Sequence, residues 1–271
     1  MAKHPKPAER GFALLLVLWS LVVLTSITAL LLSRGREDVK LASNLRVAAF
    51  AETLADSGVH EALFRLLDPA DTGWRPGPVP YRIDLPGGRV AVTIEDQAAY
   101  INPNTANEAL LSALLAAVGA DAGTSRGVAV AIEDWRSVGT AARQYGARAA
   151  EYRAAGRNYG PPGTPFRTTE ELGLVLGMTP DLLARLSPHV SVLQDGEPDP
   201  AIADPIVLSA LQKAGLAGDV RRAPSAGRVV AITAVANTPG GGRFARRATV
   251  RLGASPTGKL FQILDWRRVA G

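Results

Sequence analysis

The sequence predicts an α+β protein: a long N-terminal helix, oily in front and amphipathic behind, packed on a small antiparallel sheet with a large α-helical domain inserted between its strands. Three observations predict it. Residues 12 to 32 are apolar apart from a few small hydroxyls, and helical periodicity follows as far as Leu67. Two pairs of strand-like segments flank glycine turns, one around Gly87 and one around Gly241. Between those pairs lies a long stretch rich in helix-capping signals.

The first element is the apolar run. From Phe12 to Leu32 it counts 21 residues, a helical length that matches the roughly 30 Å hydrocarbon core of a bilayer. A removable secretory signal has a shorter apolar region and a small-residue cleavage site, whereas here "SRGREDVK" follows. The expectation is a retained transmembrane segment over residues 12–33. Ser20, Thr25, Ser26 and Thr28 are tolerated because each hydroxyl can donate to a carbonyl of the preceding turn. Lys and Arg are balanced between the leader (Lys3, Lys6, Arg10) and the far flank (Arg34, Arg36, Lys40), so charge alone does not orient the span.

The helix then continues. Leu41, Leu45, Ala48, Ala49, Ala55, Val59, Ala62, Leu63, Leu66 and Leu67 recur at helical steps, giving an amphipathic continuation over residues 34–68 that Pro69 ends. Next, "YRIDLPGGRVAVTIED" reads as a hairpin turning at Pro86, Gly87 and Gly88. Asn104 or Thr105 can cap a helix over residues 106–118, Thr168 with Glu171 repeats a capping box, and Thr179 with Pro180 starts another helix. "GRVVAITAVANTPGGGRFARRATVRLG" makes a second hairpin turning at Gly240 to Gly242, and "KLFQILDW" a last strand. The expected organisation is a leader (1–11), the span (12–33), the amphipathic helix (34–68), an α+β domain (69–100 and 190–271) and an inserted helical domain (101–189).

Composition narrows the function classes. The chain has no cysteine, hence no disulfide or thiolate site, and its only imidazoles are His4, His60 and His189. Neutral-pH acid–base chemistry has few carriers, and no enzyme is expected. "GASPTGKL" from Gly253 has phosphate-loop spacing, but Leu260 stands where Ser or Thr must hold magnesium, so it reads as a turn. Asp195, Glu197 and Asp199 have the odd-position oxygens of a calcium loop, yet Pro200 replaces its glycine. The last 53 residues hold ten Lys or Arg, among them Arg243, Arg246, Arg247 and Arg251, against two Asp, a basic patch suited to an acidic partner, lipid or nucleic acid.

A basic leader ending in Gly11, then Phe12, an apolar stretch and an amphipathic continuation resembles the type IV pilin family. The resemblance implies cleavage by a prepilin peptidase between Gly11 and Phe12, N-methylation of Phe12, and an inner-membrane subunit with its N-terminus cytoplasmic before processing and its C-terminal domain periplasmic. Most members carry glutamate at the fifth mature position, which here is Leu16. A carboxylate in an apolar core needs a partner and leucine does not, so Leu16 marks a subunit able to sit at a filament tip. "EDQAAYINPNTANEALLSALLAAVG" (95–119), "AVAIEDWRS" (129–137) and "PFRTTEELGLVLGMTPDLLARLSPHVSV" (165–192) look like the minor pseudopilin K family of type II secretion, general secretion pathway protein K. That family also lacks the glutamate.

This resemblance implies a non-enzymatic subunit at the pseudopilus tip, initiating assembly with the I-type and J-type minor pseudopilins. Other pseudopilins, the prepilin peptidase and the inner membrane are its further partners. No cofactor is required; calcium is possible by family resemblance, with ligands that cannot be assigned, and the single Asp134 of "DWRS" departs from the acid-rich pattern of relatives. The alternative comes from the same residues, which also look like the tandem helix-hairpin-helix units of membrane-anchored DNA-uptake proteins. Such hairpins usually need a Gly-hydrophobic-Gly turn to present backbone donors to a phosphate. Here Ala117–Val118–Gly119 and Gly177–Met178–Thr179 keep one glycine each, so nucleic acid is not the expected partner.

Overall fold

The protein is described by a computed structural model over residues 7–68, 73–137, 148–194, 196–217, 227–253 and 258–270, with the side chains of residues 7–11, 13 and 30–38 outside that description. The chain runs as a long helix α1 (Pro7–Leu67), strands β1 (Gly77–Leu85) and β2 (Gly88–Asp96), and five helices, α2 (Glu108–Ala117), α3 (Ala122–Arg136), α4 (Ala149–Ala154), α5 (Pro180–Leu186) and α6 (Pro205–Lys213). Strands β3 (Arg228–Asn237), β4 (Arg243–Leu252) and β5 (Phe261–Arg268) follow. The five strands form one antiparallel sheet in the order β1-β2-β3-β4-β5.

The turn chemistry explains the hairpins. Gly87 has φ of 91°, and it joins β1 to β2 at the expected place. Gly241, with φ of 79°, does the same between β3 and β4, where Thr238 and Gly242 close the loop through their backbones. Both conformations are strained for residues with a Cβ. Along β2 and β3, Val90, Val92, Ile94, Val230, Ile232 and Ala234 face one way and are buried, the period-two alternation of a sheet with one covered face. What covers that face is the back half of α1, through Ala51, Leu54, Ala55, Val59, Ala62 and Leu63. Burial of this apolar surface, at roughly 25 cal/mol per Å², drives the docking of helix on sheet.

In α1, two expectations are corrected. Among the described residues no helix is long and apolar enough to cross a membrane. The transmembrane segment expected over residues 12–33, and the single-pass inner-membrane localisation that rested on it, are therefore set aside. What stands is an α+β fold of sheet and helices. The hydroxyls of the front do behave as expected, with Ser20, Thr25, Ser26 and Thr28 each donating at 2.8 Å to the carbonyl four residues back. The apolar periodicity misplaced the start of the seat: Leu41 and Leu45 are exposed, and burial begins at Ala51. The helix stops at Leu67, and Pro69 lies outside the described residues.

The helices between β2 and β3 have a core of their own, built on Leu110, Leu114, Leu115, Val128, Ile132, Leu172 and Leu186 and extended by Val207, Ala210 and Leu211 of α6. Caps set their starts. Asn107, rather than Asn104 or Thr105, caps α2, because its carboxamide oxygen accepts from Leu110 N at 2.9 Å. Asp121 caps α3, and its carboxyl is held below its ordinary value by the Thr124 hydroxyl and backbone N–H groups. Thr179 caps α5 with Pro180 in its first turn. Thr168 makes no cap bond to the 3-10 turn Thr169–Leu174; Glu171 instead accepts from the Arg167 N–H. The unit is clipped at its base by a parallel bridge between Ile101 and Val190.

Candidate assembly surface

The residues singled out in the sequence fall into two groups. Phe12 and Leu16 lie on the front of α1 with their side chains 69% and 56% exposed. They belong to a continuous apolar surface that includes Leu15, Leu18, Trp19, Leu24 and Ile27. An isolated exposed leucine is ordinary, but a contiguous patch of this kind marks a contact surface. Gly11 is within α1, and its surroundings lie outside the described residues. Leu16 adds no charge to the patch, so neighbouring apolar helices can cover it without any buried carboxylate to compensate.

The second group is the run of arginines on β4. Adjacent strand residues point to opposite faces, and the sheet separates them accordingly. Arg246 is buried on the α1 side, where its Nε donates to Asp56 Oδ1 at 2.7 Å and its Nη2 to Glu52 Oε1 at 2.5 Å. These acids hold the guanidinium pKa above its ordinary value, with the Asp56 hydrogen bond the main cause. The same guanidinium lies over the Phe244 ring at 4.9 Å and the Trp266 ring at 5.4 Å. Arg247 points to the other face and binds Glu95 at 2.7 Å. Arg251 donates to Gln262 at 3.3 Å, and Arg243 is exposed at the start of β4. Arg228 is paired with Asp96 at 2.7 Å. Much of the basic excess at the C-terminal end is thus neutralised within the fold by acids of α1 and β2, leaving less of it free for a polyanion.

The helical unit is rigidified by polar bonds that its composition concealed. Asp134 is fully buried and takes Arg148 Nη2 at 3.0 Å, while Arg136 donates to the carbonyls of Pro103 and Ala106 at 2.6 and 2.7 Å. Asn104 exchanges two bonds with the Phe166 backbone at 2.7 and 2.9 Å, and Asn102 donates to the Gln194 carbonyl. Trp135 stacks on Phe166 at 5.8 Å and meets Tyr152 and Tyr159. Burial pushes the Tyr152 phenol up to about 12. These groups are spent on structure. Among the described residues no three His, Asp or Glu side chains converge as metal ligands; of the acidic string, Asp195 is outside those residues, and Asp199 is engaged in the turn that leads to α6, accepting from Ala201 N at 3.0 Å.

Comparison with known proteins bears on the same segment. Residues 91–195, from β2 through the helical unit, match the family described as Type II secretion system (T2SS), protein K. Among solved structures, the chain is similar to a chain in the crystal structure of the GspK-GspI-GspJ complex from the enterotoxigenic Escherichia coli type 2 secretion system. The TM-score is 0.60 at 18% identity, over 88% of this chain and all of that one. At that identity the likeness is one of fold. No curated protein sequence matches the chain.

Proposed function

We propose that the chain, which matches the protein K family of the type II secretion system over residues 91–195, is a non-enzymatic minor pseudopilin that starts pseudopilus assembly from the tip. The observation that carries this reading is the architecture itself. A sheet sits on only the back half of a long helix, the apolar front of that helix is left exposed, and a bulky helical unit is set between β2 and β3. The front offers neighbouring helices a surface to pack on. The added unit makes the subunit too wide to repeat along a thin filament, yet suited to closing one end. Association, driven by apolar burial, is all the work this arrangement requires.

The partners that fit are I-type and J-type minor pseudopilins, in keeping with the composition of the solved complex whose fold the chain shares. Leu16 supports the tip position, since a terminal subunit has no predecessor to neutralise a glutamate at that place. We further assign the peptide bond between Gly11 and Phe12 to a prepilin peptidase, with Phe12 as the methylated mature terminus. The test is co-expression of the full chain with its I-type and J-type counterparts. Recovery of a ternary complex on purification through a tag on one partner is expected, and recovery of the binary I–J pair alone would overturn the proposal. Leu16→Glu should leave the subunit folded but reduce secretion several-fold, read as exported protein per cell; unchanged export would remove Leu16 from the argument. Mass spectrometry of the mature amino terminus, with and without the peptidase, checks the cleavage.

A further inference from the structure

The face of the sheet opposite α1 is not bare. Glu95 of β2, Ala231 of β3, Thr249 of β4 and Asp265 of β5 stand in register across it. The segments Arg167–Glu170 and Ser187–Leu193 of the helical unit rise beside that row, enclosing a cleft of about 550 Å³, within the size range of sites that take up a ligand. Nothing in the pseudopilin reading uses this cleft, which is separate from the exposed front of α1.

Its chemistry is dominated by unspent donors. Gln97 is 4% exposed; its Oε1 accepts from Ser191 Oγ at 2.7 Å, and its Nε2 has no acceptor among the described residues. Buried polar groups are almost always paired, so an orphaned amide in the lining of a cleft points to something that fills it. Each guanidinium carries five N–H donors. Arg247 spends Nη2 on Glu95 and Nη1 on Thr233, Arg267 Nε lies 3.2 Å from Asp265, and the Arg167 guanidinium makes no bond among the described residues. Two of the lining carboxylates are already held by arginine: Glu95 takes Arg247 at 2.7 Å, and Asp265 Oδ2, buried without a hydrogen-bond donor, lies 3.2 Å from Arg267 Nε. Glu170 at the mouth is the remaining carboxylate.

A pocket with spare N–H groups and engaged carboxylates suits a ligand rich in acceptors, and paired guanidiniums favour a planar carboxylate. We propose that this cleft binds an acidic segment of a partner polypeptide, whose carboxylate takes the Gln97 amide hydrogen at the floor and the Arg167 and Arg267 guanidiniums at the rim. A polypeptide, rather than a small anion, matches the length of a cleft bounded along two sides by separate segments of the helical unit. This rests on the reading of the chain as an assembling subunit, and it assigns one contact of that assembly to a particular place.

The probe is fluorescein-labelled tetraglutamate, titrated by anisotropy against the full chain, with tetraglutamine and inorganic phosphate as controls. Binding of tetraglutamate alone is expected. Arg267→Gln together with Arg167→Gln, both on exposed side chains, should weaken it at least tenfold. Gln97→Glu, which keeps the Ser191 bond but turns the free donor into an acceptor, should weaken it as much, and circular dichroism verifies that each variant is folded. No tetraglutamate binding by the wild-type chain, or binding unaffected by the folded rim variant, would overturn the site. Phosphate competing as well as the peptide would overturn the polypeptide as its ligand. A chain that binds tetraglutamate yet fails to join I-type and J-type partners would sink the tip-subunit reading while leaving the cleft assigned.

Discussion

Arg246 shows how much one side chain can join in this molecule. Its guanidinium is shared between two acids of α1, stacks on Phe244 and Trp266, and issues from β4, so it pins helix to sheet where the apolar seat begins. Removing one partner from a buried ion pair is costly, but Glu52 and Asp56 are partly exposed and screened. Arg246→Ala should therefore lower the unfolding free energy by about 1–3 kcal/mol, measured by urea denaturation; a change below about 0.5 kcal/mol would show the contact to be idle. Asp204 supplies a pH signature. Burial pushes its carboxyl up, but the Val207 and Ile206 N–H groups it caps and the adjacent His189 outweigh this and hold it below its ordinary value. Its contribution is present above the unfolded carboxylate pKa, near 4, and is lost as pH falls through the lower folded value. Asp204→Asn should flatten the fall in stability as the pH drops below about 4, and an unchanged acid transition would exclude Asp204 as its source.

Among the elements, α1 packs tightly against the sheet at Gly58. A Cβ there would lie 2.6 Å from Val90 Cγ1 and 3.3 Å from the Ala234 Cβ, both in the core. Alanine ordinarily gains about 1 kcal/mol over glycine inside a helix, but overpacking a tight core costs about 1–3 kcal/mol. Gly58→Ala is expected to destabilise the chain, and a raised melting temperature would contradict that. Glycine at this position was not legible as a packing device, since a sequence shows a missing side chain without showing what occupies its space. The strands and their turns were legible, because Gly87 and Gly241 sit where a positive φ is required and apolar residues alternate on either side. The helix seat was half legible. Periodicity identified the buried stripe of α1 but not where along the helix the sheet begins, so Leu41 and Leu45 were assigned to a contact that starts at Ala51.

For the whole molecule, the three sequence blocks that carried the K-type resemblance fall wholly within the matched residues 91–195, and the helical unit there was recognisable from its apolar spacing, while of its expected caps only Thr179 stands where it was read. The membrane crossing was not secured: length of an apolar run is a statement about sequence, and no described helix meets the requirement. The cleft was invisible for a different reason. Its floor depends on registers spanning four strands, and its walls come from segments some 70 to 100 residues distant. Likewise the basic patch dissolved once Arg246 and Arg247 were placed on opposite faces with separate acidic partners.

The bridge between Ile101 and Val190 carries a further consequence for the order of events in folding. Asp96 must find Val230 across roughly 130 residues of chain, and loop-closure entropy makes that slow. If the intervening helices have already formed and drawn Ile101 against Val190, the effective tether shrinks to about a third, lowering the closure cost by about 1 kcal/mol. The helical unit then acts as an internal scaffold that delivers β3 to β2. Pulse-labelled hydrogen exchange should find amides of α2 and α3 protected before those of β3, and simultaneous protection, or a sheet that forms first, would refute this sequence of steps. A subunit built in this order exposes its unfinished sheet late and briefly, which limits the time its strand edges are open to the wrong neighbours.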